Sequence, residues 1–368
     1  MDEDLHPKSA TEATRAGNEA AAAALPWADR RDYTDSRRGF VGTIIEPVTR
    51  ADGARVLDAG SNDFVLATEK APNTVHPSLW RHAQVSQPNG LFEVTDGIYQ
   101  VRGLDLSNVT IVEGDTGIIV IDPLVYAETA AAAMALYRQH RGDRAVKAVV
   151  YTHSHLDHYG GVRAVVDQGD VDSGAVAVIA PAGFLEEAVS ENAYAGNAMG
   201  RRALYQTANI VAPGERGQVN SGLGNVTGHA GRNTLIAPTD IVTATGETRT
   251  VDGVDMEFLM ALGTEALAEF LIYFPQHRAL CSAEDATQTM HQLYTLRGAQ
   301  IRDAVAWWKA LDAALVMFGD RTDVLFAQHT WPCWGTDAVS EMLANLRDVY
   351  KYIHDEVLRM ANSGMTPE

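Results

Sequence analysis

The strongest constraint on the fold is a histidine-rich segment that directly follows a predicted buried strand. Val146 to Tyr151 predicts the strand, and residues 152–161 continue as Thr-His-Ser-His-Leu-Asp-His-Tyr-Gly-Gly, an H-x-H-x-D-H pattern before a glycine pair that can open a helix. Two residues turn an α-helix by about 200°, so His153 and His155 cannot share a helix face. At a strand end or in a loop they can point into one cleft. Because imidazole and carboxylate groups are zinc ligands, the segment predicts a metal site there.

The number of ligands in this segment favours two metal ions over one. Four candidate ligands within six residues exceed the needs of one tetrahedral site once other protein groups join. We therefore predict one metal on His153 and His155 and a second on Asp157 and His158. Two metals about 3.5–4 Å apart can share a hydroxide. The alternative is three solvated loop histidines beside a capping aspartate.

Two metals need further ligands from distant parts of the chain. Glu265, Glu284 and His329 each come just after an apolar strand-like run, where a sheet delivers side chains to its edge. Each alone is also typical of a helix cap or a surface position. Because all three have the same placement, we interpret them as metal ligands.

The apolar patterning predicts an α/β chain with two runs of strands. Predicted strands cover 92–94, 98–101, 108–113, 118–122 and 146–151 in the first run, and 241–243, 247–251, 254–259, 269–274, 279–282 and 324–326 in the second. Predicted helices cover about 10–25, 127–141, 301–317 and 339–360. The segment 118–122 is apolar on both faces and should be central. Two sheets packed face to face, with helices outside, fit this order.

Composition excludes several classes of protein. Lys and Arg number 29 and Asp and Glu 48, a formal net charge of −19, which argues against nucleic acid or anionic membranes as partners. No apolar stretch approaches the 18 residues of a membrane span. The acidic start, Met-Asp-Glu-Asp, is not a signal peptide, and the two cysteines are compatible with a reducing compartment. We expect a cytoplasmic location, or a periplasmic or secreted one if a leader is missing.

Beyond the metal motif, longer stretches resemble the alkylsulfatase branch, of the dodecyl-sulfate-hydrolase type, of the metallo-β-lactamase superfamily. The matching segments are 97–103, 106–108, 113–117, 151–163, 190–192, 195–199, 294–299 and 331–332. The resemblance runs from about residue 10 to the end. It implies an αββα sandwich of two mixed sheets with helices outside, two Zn²⁺ per chain, and hydrolysis of alkyl sulfate esters to alcohol and sulfate through a metal-bound hydroxide.

The resemblance also implies a role for each site residue. One zinc would bind His153, His155 and Glu265, and the other Asp157, His158 and His329, with Glu284 bridging them. Asp157, Glu284 and Arg297 would be catalytic, and Arg297 and His291 would contact the substrate. A guanidinium can engage two sulfate oxygens at once, although Arg297 could also be a surface residue at a helix start. His291 could be an acid or a donor, or a half-buried helix residue. Asp122 is a candidate acceptor for a ligand histidine, or a turn aspartate before Pro123.

The sequence departs from the family pattern near the ligands without losing one. Leu267, Asp285, Gln288, Gln328 and Thr330 replace the usual Pro, Asn, His, Ser and His. These changes affect the expected substrate and rate more than metal binding.

We expect an N-terminal extension over 1–90 that packs on a catalytic domain over 91–368. We expect the family's C-terminal dimerisation and lipid-carrier-like domains to be absent, which weakens the expectation of a homodimer and leaves a natural short form or a truncation open. Other functions also stay open: another hydrolase of this fold (lactonase, thioesterase or β-lactamase-like), a non-catalytic metal-binding paralogue, or an interaction module without metal. The sequence does not give the alkyl chain, the bond that breaks or the general acid.

Overall fold

A computed structural model of the protein describes residues 7–224 and 231–367. Within those ranges the strands are β1 (Phe40–Gly42), β2 (Val48–Thr49), β3 (Arg55–Leu57), β4 (Gly90–Thr95), β5 (Ile98–Arg102), β6 (Val109–Glu113), β7 (Gly117–Ile121), β8 (Ala145–Val150), β9 (Ala177–Pro181), β10 (Asp240–Val242), β11 (Thr248–Val251), β12 (Val254–Met260), β13 (Phe270–Phe274), β14 (Ala279–Cys281), β15 (Val324–Phe326) and β16 (Cys333–Trp334). The helices are α1 (Glu12–Ala24), α2 (Arg31–Asp35), α3 (Pro77–Val85), α4 (Ala127–Arg141), α5 (Gln168–Asp172), α6 (Phe184–Val189), α7 (Gly196–Gln206), α8 (Ala304–Phe318) and α9 (Thr336–Asn362). A π-helical turn, Ser190–Tyr194, joins α6 to α7.

Most strands belong to two mixed sheets. The first has the order β1-β4-β5-β6-β7-β8-β9-β10, and the second has the order β11-β12-β13-β14-β15-β16. Every residue of β7 is buried, as its apolar sequence predicts for a central strand. The strand pair β2-β3 stands apart.

Three hydrophobic layers hold these elements together. The middle layer joins the inner faces of the two sheets, with Ile121, Phe258 and Phe270 fully buried between them. An outer layer packs α4 against the first sheet, and the opposite one packs α8 and α9 against the second through Trp307 and Leu343. The expected αββα sandwich with two face-to-face sheets is confirmed.

The main helices begin and end where their local sequence favours it. An alanine-rich stretch forms α4 and stops at Gly142, which has a φ of 87° that side chains with a Cβ rarely adopt. The Asp303 carboxylate accepts a hydrogen bond from the Val305 N–H and caps the start of α8.

The strands that lead to the metal motif end at one edge of the sandwich. In the first sheet β8 runs parallel to β7 and β9. In the second sheet β12 and β14 are both antiparallel to β13, and β15 is parallel to β14. The carboxyl ends of β12, β14 and β15 therefore meet. A bridge between His153 and Glu269 joins this edge to the first sheet.

Some elements differ from expectation. The strand expected at 241–243 opens the second run in the sequence, but β10 pairs in parallel with β9 in the first sheet. Strand β9 was not predicted from the sequence, so the predicted first run of strands contained no partner for β10. The glycine pair opens a single 3-10 turn, Val162–Ala164, and not an α-helix. Within the first 90 residues, β1 pairs with β4 and extends the first sheet.

No helix in the described residues is long and apolar enough to span a bilayer.

Candidate metal centre

Seven side chains from four strand ends converge into two groups of metal-binding atoms. The first group is His153, His155, Glu265 and Glu284, and the second is Asp157, His158, Glu284 and His329. The ligand atoms of each group lie within 4.8 Å of one another. All are buried except Asp157, which is partly exposed. The structure thus brings together every residue predicted as a ligand, in the predicted groups, with Glu284 common to both.

The spacing of these atoms matches what a tetrahedral metal requires. Two ligands at about 2.1 Å from a zinc ion lie about 3.4 Å apart along a tetrahedral edge. His153 Nε2 lies 3.4 Å from Glu265 Oε2 and 3.5 Å from Glu284 Oε2. In the second group, His158 Nε2 lies 3.2 Å from Asp157 Oδ2 and 3.4 Å from Glu284 Oε2.

The other ligands of the second group are spaced in the same way. His329 Nε2 lies 3.3 Å from Asp157 Oδ2, 3.2 Å from Glu284 Oε2 and 3.3 Å from His158 Nε2. In the first group, His155 Nδ1 is closer to Glu265 Oε2, at 2.7 Å. His153 Nε2 is buried without a hydrogen-bond partner. Buried polar atoms are rarely left in this state, so the donor set fits divalent metal ions.

In the second group, Nδ1 of each histidine forms a hydrogen bond with another part of the protein. His158 Nδ1 lies 2.8 Å from Asp122 Oδ2, and His329 Nδ1 lies 3.1 Å from the Leu106 carbonyl oxygen. Both nitrogens therefore donate, which leaves Nε2 of each ring as the free lone pair. Asp122 itself is fixed by the Thr152 N–H and hydroxyl at 2.8 and 2.6 Å. The expectation that Asp122 is an acceptor for a ligand histidine is confirmed.

In the first group, the ring nitrogen of each histidine that faces away from the other ligands lies near a carboxylate or a hydroxyl. His155 turns Nδ1 towards the ligand group and Nε2 towards Glu191, whose Oε2 is 3.4 Å away. His153 Nδ1 lies 3.0 Å from the Thr152 hydroxyl and 3.9 Å from Glu269 Oε1. These contacts orient the rings so that one nitrogen of each faces the metal position.

The raised pKa values of two histidines show that the carboxylates of the site favour positive charge. Burial alone lowers the pKa of His155, but the Glu265 and Glu191 carboxylates outweigh it and raise that pKa to about 9. Burial likewise lowers the pKa of His329, and Glu284 and Asp157 raise it to about 10. A proton and a metal ion compete for the same lone pairs, so a field of this sign also favours a divalent cation.

Two further carboxyls lie behind Glu265 and Glu284. Burial and the neighbouring acids raise the pKa of both Glu269 and Asp285 well above the usual range. Glu269 accepts hydrogen bonds from the Ala266 N–H and the Thr264 hydroxyl, both at 3.0 Å. A cation, Arg302, is buried on the other side of Glu265: its Nη2 pairs with Oε1, and its Nε donates to the Glu265 carbonyl at 2.6 Å.

His291 lies at the centre of the site. Its Nε2 is 3.2 Å from Glu284 Oε1 and 3.5 Å from Glu265 Oε1, and its Nδ1 lies 2.8 Å from the Gln292 carbonyl. The helix interpretation of this residue is wrong, because the chain is irregular at 291 and continues into turns. Tyr350 of α9 donates to the His291 carbonyl at 3.0 Å and holds the loop.

Arg297 reaches the site through an acidic partner. Its Nε and Nη2 donate to Glu191 Oε1 at 3.0 and 2.6 Å, while the other Glu191 oxygen faces His155. Glu191 raises the pKa of Arg297 despite burial, which keeps the guanidinium charged. The structure brings Arg297 to the rim of the first ligand group, and its contact with a substrate stays a prediction.

Two residues of the site, Glu191 and Arg302, were not predicted from the sequence. Glu191 lies in one of the stretches that resemble the family, but no local pattern marks it. Arg302 lies five residues after Arg297, outside the matching segment 294–299, and pairs with Glu265 only in the folded chain. Pairing between an isolated charge and a distant ligand has no signal in one sequence.

Comparison with known proteins identifies the family and the fold. Residues 102–329 match the profile of the "Metallo-beta-lactamase superfamily". A "Linear primary-alkylsulfatase" of Pseudomonas sp. is 51% identical over 98% of this chain and 53% of that protein. An "Alkyl/aryl-sulfatase BDS1" of Saccharomyces cerevisiae is 49% identical over 98% of this chain and 55% of that protein. The chain thus spans about half the length of these relatives.

Solved structures show the same fold and the same family. The "stereoselective inverting sec-alkylsulfatase Pisa1" from Pseudomonas sp. superposes with a TM-score of 0.95 and 47% identity, over 99% of this chain and 57% of that one. A "Beta-lactamase domain protein" from Burkholderia ambifaria, 16% identical, shares the fold with a TM-score of 0.51 over 76% of this chain and 80% of that one. The chain belongs to the metallo-β-lactamase superfamily, and within it resembles the alkylsulfatases.

Proposed function

We propose that this protein hydrolyses alkyl sulfate esters to alcohol and inorganic sulfate with a pair of zinc ions. The observation that carries the proposal is the near-tetrahedral spacing of seven buried or partly buried ligands in two groups that share Glu284. The names of the similar proteins support the substrate class. The convergence of every predicted ligand in two groups supports a metal centre.

The protein's own groups have distinct tasks in this proposal. His153, His155 and Glu265 hold one metal, Asp157, His158 and His329 hold the other, and Glu284 belongs to both. Two zinc ions held there would neutralise the sulfate oxygens and lower the pKa of a shared water, so that hydroxide becomes available near neutral pH.

The remaining residues position the ligands and the substrate. Asp122 and Glu191 fix the orientation of His158 and His155. Arg297, partly exposed beside Glu191, would bind a sulfate oxygen with its remaining N–H groups. His291, 3.2 Å from Glu284, is the further group placed to hydrogen-bond the substrate.

The proposal is tested by metal analysis and dodecyl sulfate turnover on the same sample. We expect about two zinc ions per chain and release of sulfate. His155→Ala should abolish turnover and reduce the metal content below two per chain. His140→Ala is the matched control, because His140 is exposed on α4. Unchanged turnover in His155→Ala would contradict the site.

Other outcomes decide between the remaining functions. Turnover of a lactone or thioester but not of a sulfate ester would assign a different hydrolase of this fold. Two zinc ions without turnover of any ester would assign a non-catalytic metal-binding protein. Absence of zinc from protein purified without chelator would reject the metal centre itself.

A further inference from the structure

Arg102, the last residue of β5, is a buried cation that lacks an acidic partner among the described residues. Its side chain is 5% exposed, and neither Nε nor Nη2 has a hydrogen-bond acceptor. The guanidinium carbon lies 3.6 Å from the centre of the Phe92 ring. A ring covers the face of a guanidinium, whereas the N–H groups point outward in its plane. The donor edge of Arg102 is therefore still unpaired.

No carboxylate compensates the charge of Arg102, and the Phe92 ring covers only a face of its guanidinium. Burial lowers the pKa of this guanidinium to about 9, and no neighbouring carboxylate opposes that effect. Taking a charge out of water without a partner costs several kcal/mol. A buried arginine that stays in the folded chain therefore calls for a counter-charge.

The arginine lines a cavity of about 30 Å³ between the N-terminal region and the loop that carries His329. Its wall also contains Ser36, Pro88, Asn108, Thr330 and Trp331. The Ser36 hydroxyl is buried and, like the Arg102 edge, has no partner. A single water needs about 10–15 Å³ measured in this way, so the space suits one small ion or two waters. Waters can pair the donors, but only an anion also balances the charge.

One acidic residue, Asp105, belongs to the same wall, and its carboxylate is already engaged. It accepts hydrogen bonds from the Leu106 N–H at 2.7 Å and from the Thr129 hydroxyl. The described residues contain no ion pair between Asp105 and Arg102. Asp105 therefore does not replace the missing counter-charge.

We propose that this cavity is a binding site for a small monovalent anion of the halide class, held by the N–H edge of Arg102 and the hydroxyl of Ser36. The site is separate from the metal centre and does not depend on the proposed reaction. The wall of the cavity contacts the loop that carries His329. Two wall residues bind this loop: Asn108 donates to the Thr330 carbonyl at 2.9 Å, and the Leu106 carbonyl accepts from His329. Binding should stabilise the folded protein and hold this loop in place.

The experiment compares bromide with gluconate, a bulky organic anion, at constant ionic strength. We expect the melting temperature to rise with bromide and to saturate in the millimolar range, because the ligand binds the folded state. Arg102→Met should lose this rise, since it keeps the apolar stem and removes the charge. Arg359→Met, the same change at an exposed position on α9, should keep it. Anomalous diffraction from a bromide-soaked crystal should show a peak within hydrogen-bond distance of Arg102.

Three results would overturn the site. The first is a melting temperature that responds equally to bromide in the wild type and in Arg102→Met. The second is a wild-type crystal with waters but no bromide beside Arg102. The third is a bromide peak without any saturable stabilisation, which would mean an adventitious ion only. If Arg102→Met fails to fold, Arg102→Gln and the wild-type crystal still decide, because Gln keeps donors but not the charge.

Discussion

At the scale of single residues, the site depends on which nitrogen of each histidine is free. Three of the four ligand histidines have the opposite nitrogen beside a carboxylate or a carbonyl, namely Glu191 for His155, Asp122 for His158 and the Leu106 carbonyl for His329. Such a partner fixes the tautomer, orients the ring and strengthens the ligand.

Asp122→Asn should weaken the metal site without removing a ligand. The asparagine side chain can present an N–H to His158 and so favour the wrong tautomer, and loss of such a partner costs about 10- to 100-fold in metal affinity. Zinc titration with a competing chelator measures this effect. Asp252→Asn is the matched control, because Asp252 accepts from the Thr116 N–H and hydroxyl just as Asp122 accepts from Thr152. Equal zinc affinity in both variants would refute the role of Asp122.

Arg297→Ala should raise KM for alkyl sulfates by about 10-fold or more, because a charge-assisted hydrogen bond contributes about 1.5–3 kcal/mol. The variant also leaves the Glu191 carboxylate unpaired beside the substrate. Steady-state kinetics of Arg297→Ala and of the double variant with Glu191→Gln separate the two effects. If KM and kcat both stay at the wild-type values, Arg297 does not contact the substrate.

The convergence of the candidate ligands could be predicted from the sequence because their positions follow local rules. The histidine motif is contiguous, and Glu265, Glu284 and His329 each follow an apolar strand. Their partners follow no such rule. Glu191 lies on a π-helical turn and Arg302 in an irregular loop, and each meets its histidine or carboxylate only through the tertiary fold.

At the scale of elements, long or strongly apolar segments were predictable and short ones were not. Helix α4 occupies the predicted 127–141, and α9 extends the predicted 339–360 by a turn at its start. Short strands such as β1 have only three residues and little apolar pattern. Whether such a segment forms a strand depends on its pairing with strands that are far away in the sequence. For example, β10 joins the first sheet because β9 provides an open edge.

Helices α8 and α9 support the loop of His291, so their packing should matter for stability. Leu343 of α9 is fully buried in this outer layer. Leu343→Ala should lower the free energy of unfolding by about 2–5 kcal/mol, the usual cost of a cavity in a packed core. Leu358→Ala, on the same helix but 49% exposed, should change it by less than about 1 kcal/mol. Urea denaturation of the two variants measures the difference, and equal losses would contradict the packing.

Helix α3 should make the fold sensitive to acid. Burial lowers the pKa of His82 from 6.5 to about 4. Between those values the unfolded chain binds the proton and the folded chain does not, so this contribution to stability is present above pH 6.5 and decreases as the pH falls towards 4. At pH 5 the loss is on the order of 2 kcal/mol for this one group.

The variant His82→Gln should remove that part of the acid sensitivity. The measurement is the free energy of unfolding at pH 5 and pH 7, with His140→Gln, on the exposed side of α4, as control. The difference between the two pH values should shrink in His82→Gln and stay in His140→Gln. The same difference in all three proteins would show that His82 does not titrate in this way.

At the scale of the whole molecule, the two-sheet architecture was predictable from the order of strands and helices, whereas the sheet membership of β10 was not. The acidic surface has a consequence of its own for the proposed reaction. The chain has a formal net charge of −19, and Arg297, a cation at the rim of the site, is already paired with Glu191. At long range an approaching sulfate ester therefore meets a negative field.

This field predicts opposite effects of salt on the two ligands of the site. Salt shortens the range of the field from about 30 Å at 0.01 M to about 8 Å at 0.15 M. Added salt should therefore raise kcat/KM for an alkyl sulfate, because repulsion between like charges slows association. It should slow the association of zinc with the apoprotein, because attraction is screened as well. Stopped-flow metal binding and steady-state turnover across this range measure both. A fall in kcat/KM with salt would mean that a local positive field at the metal centre, and not the net charge, guides the substrate.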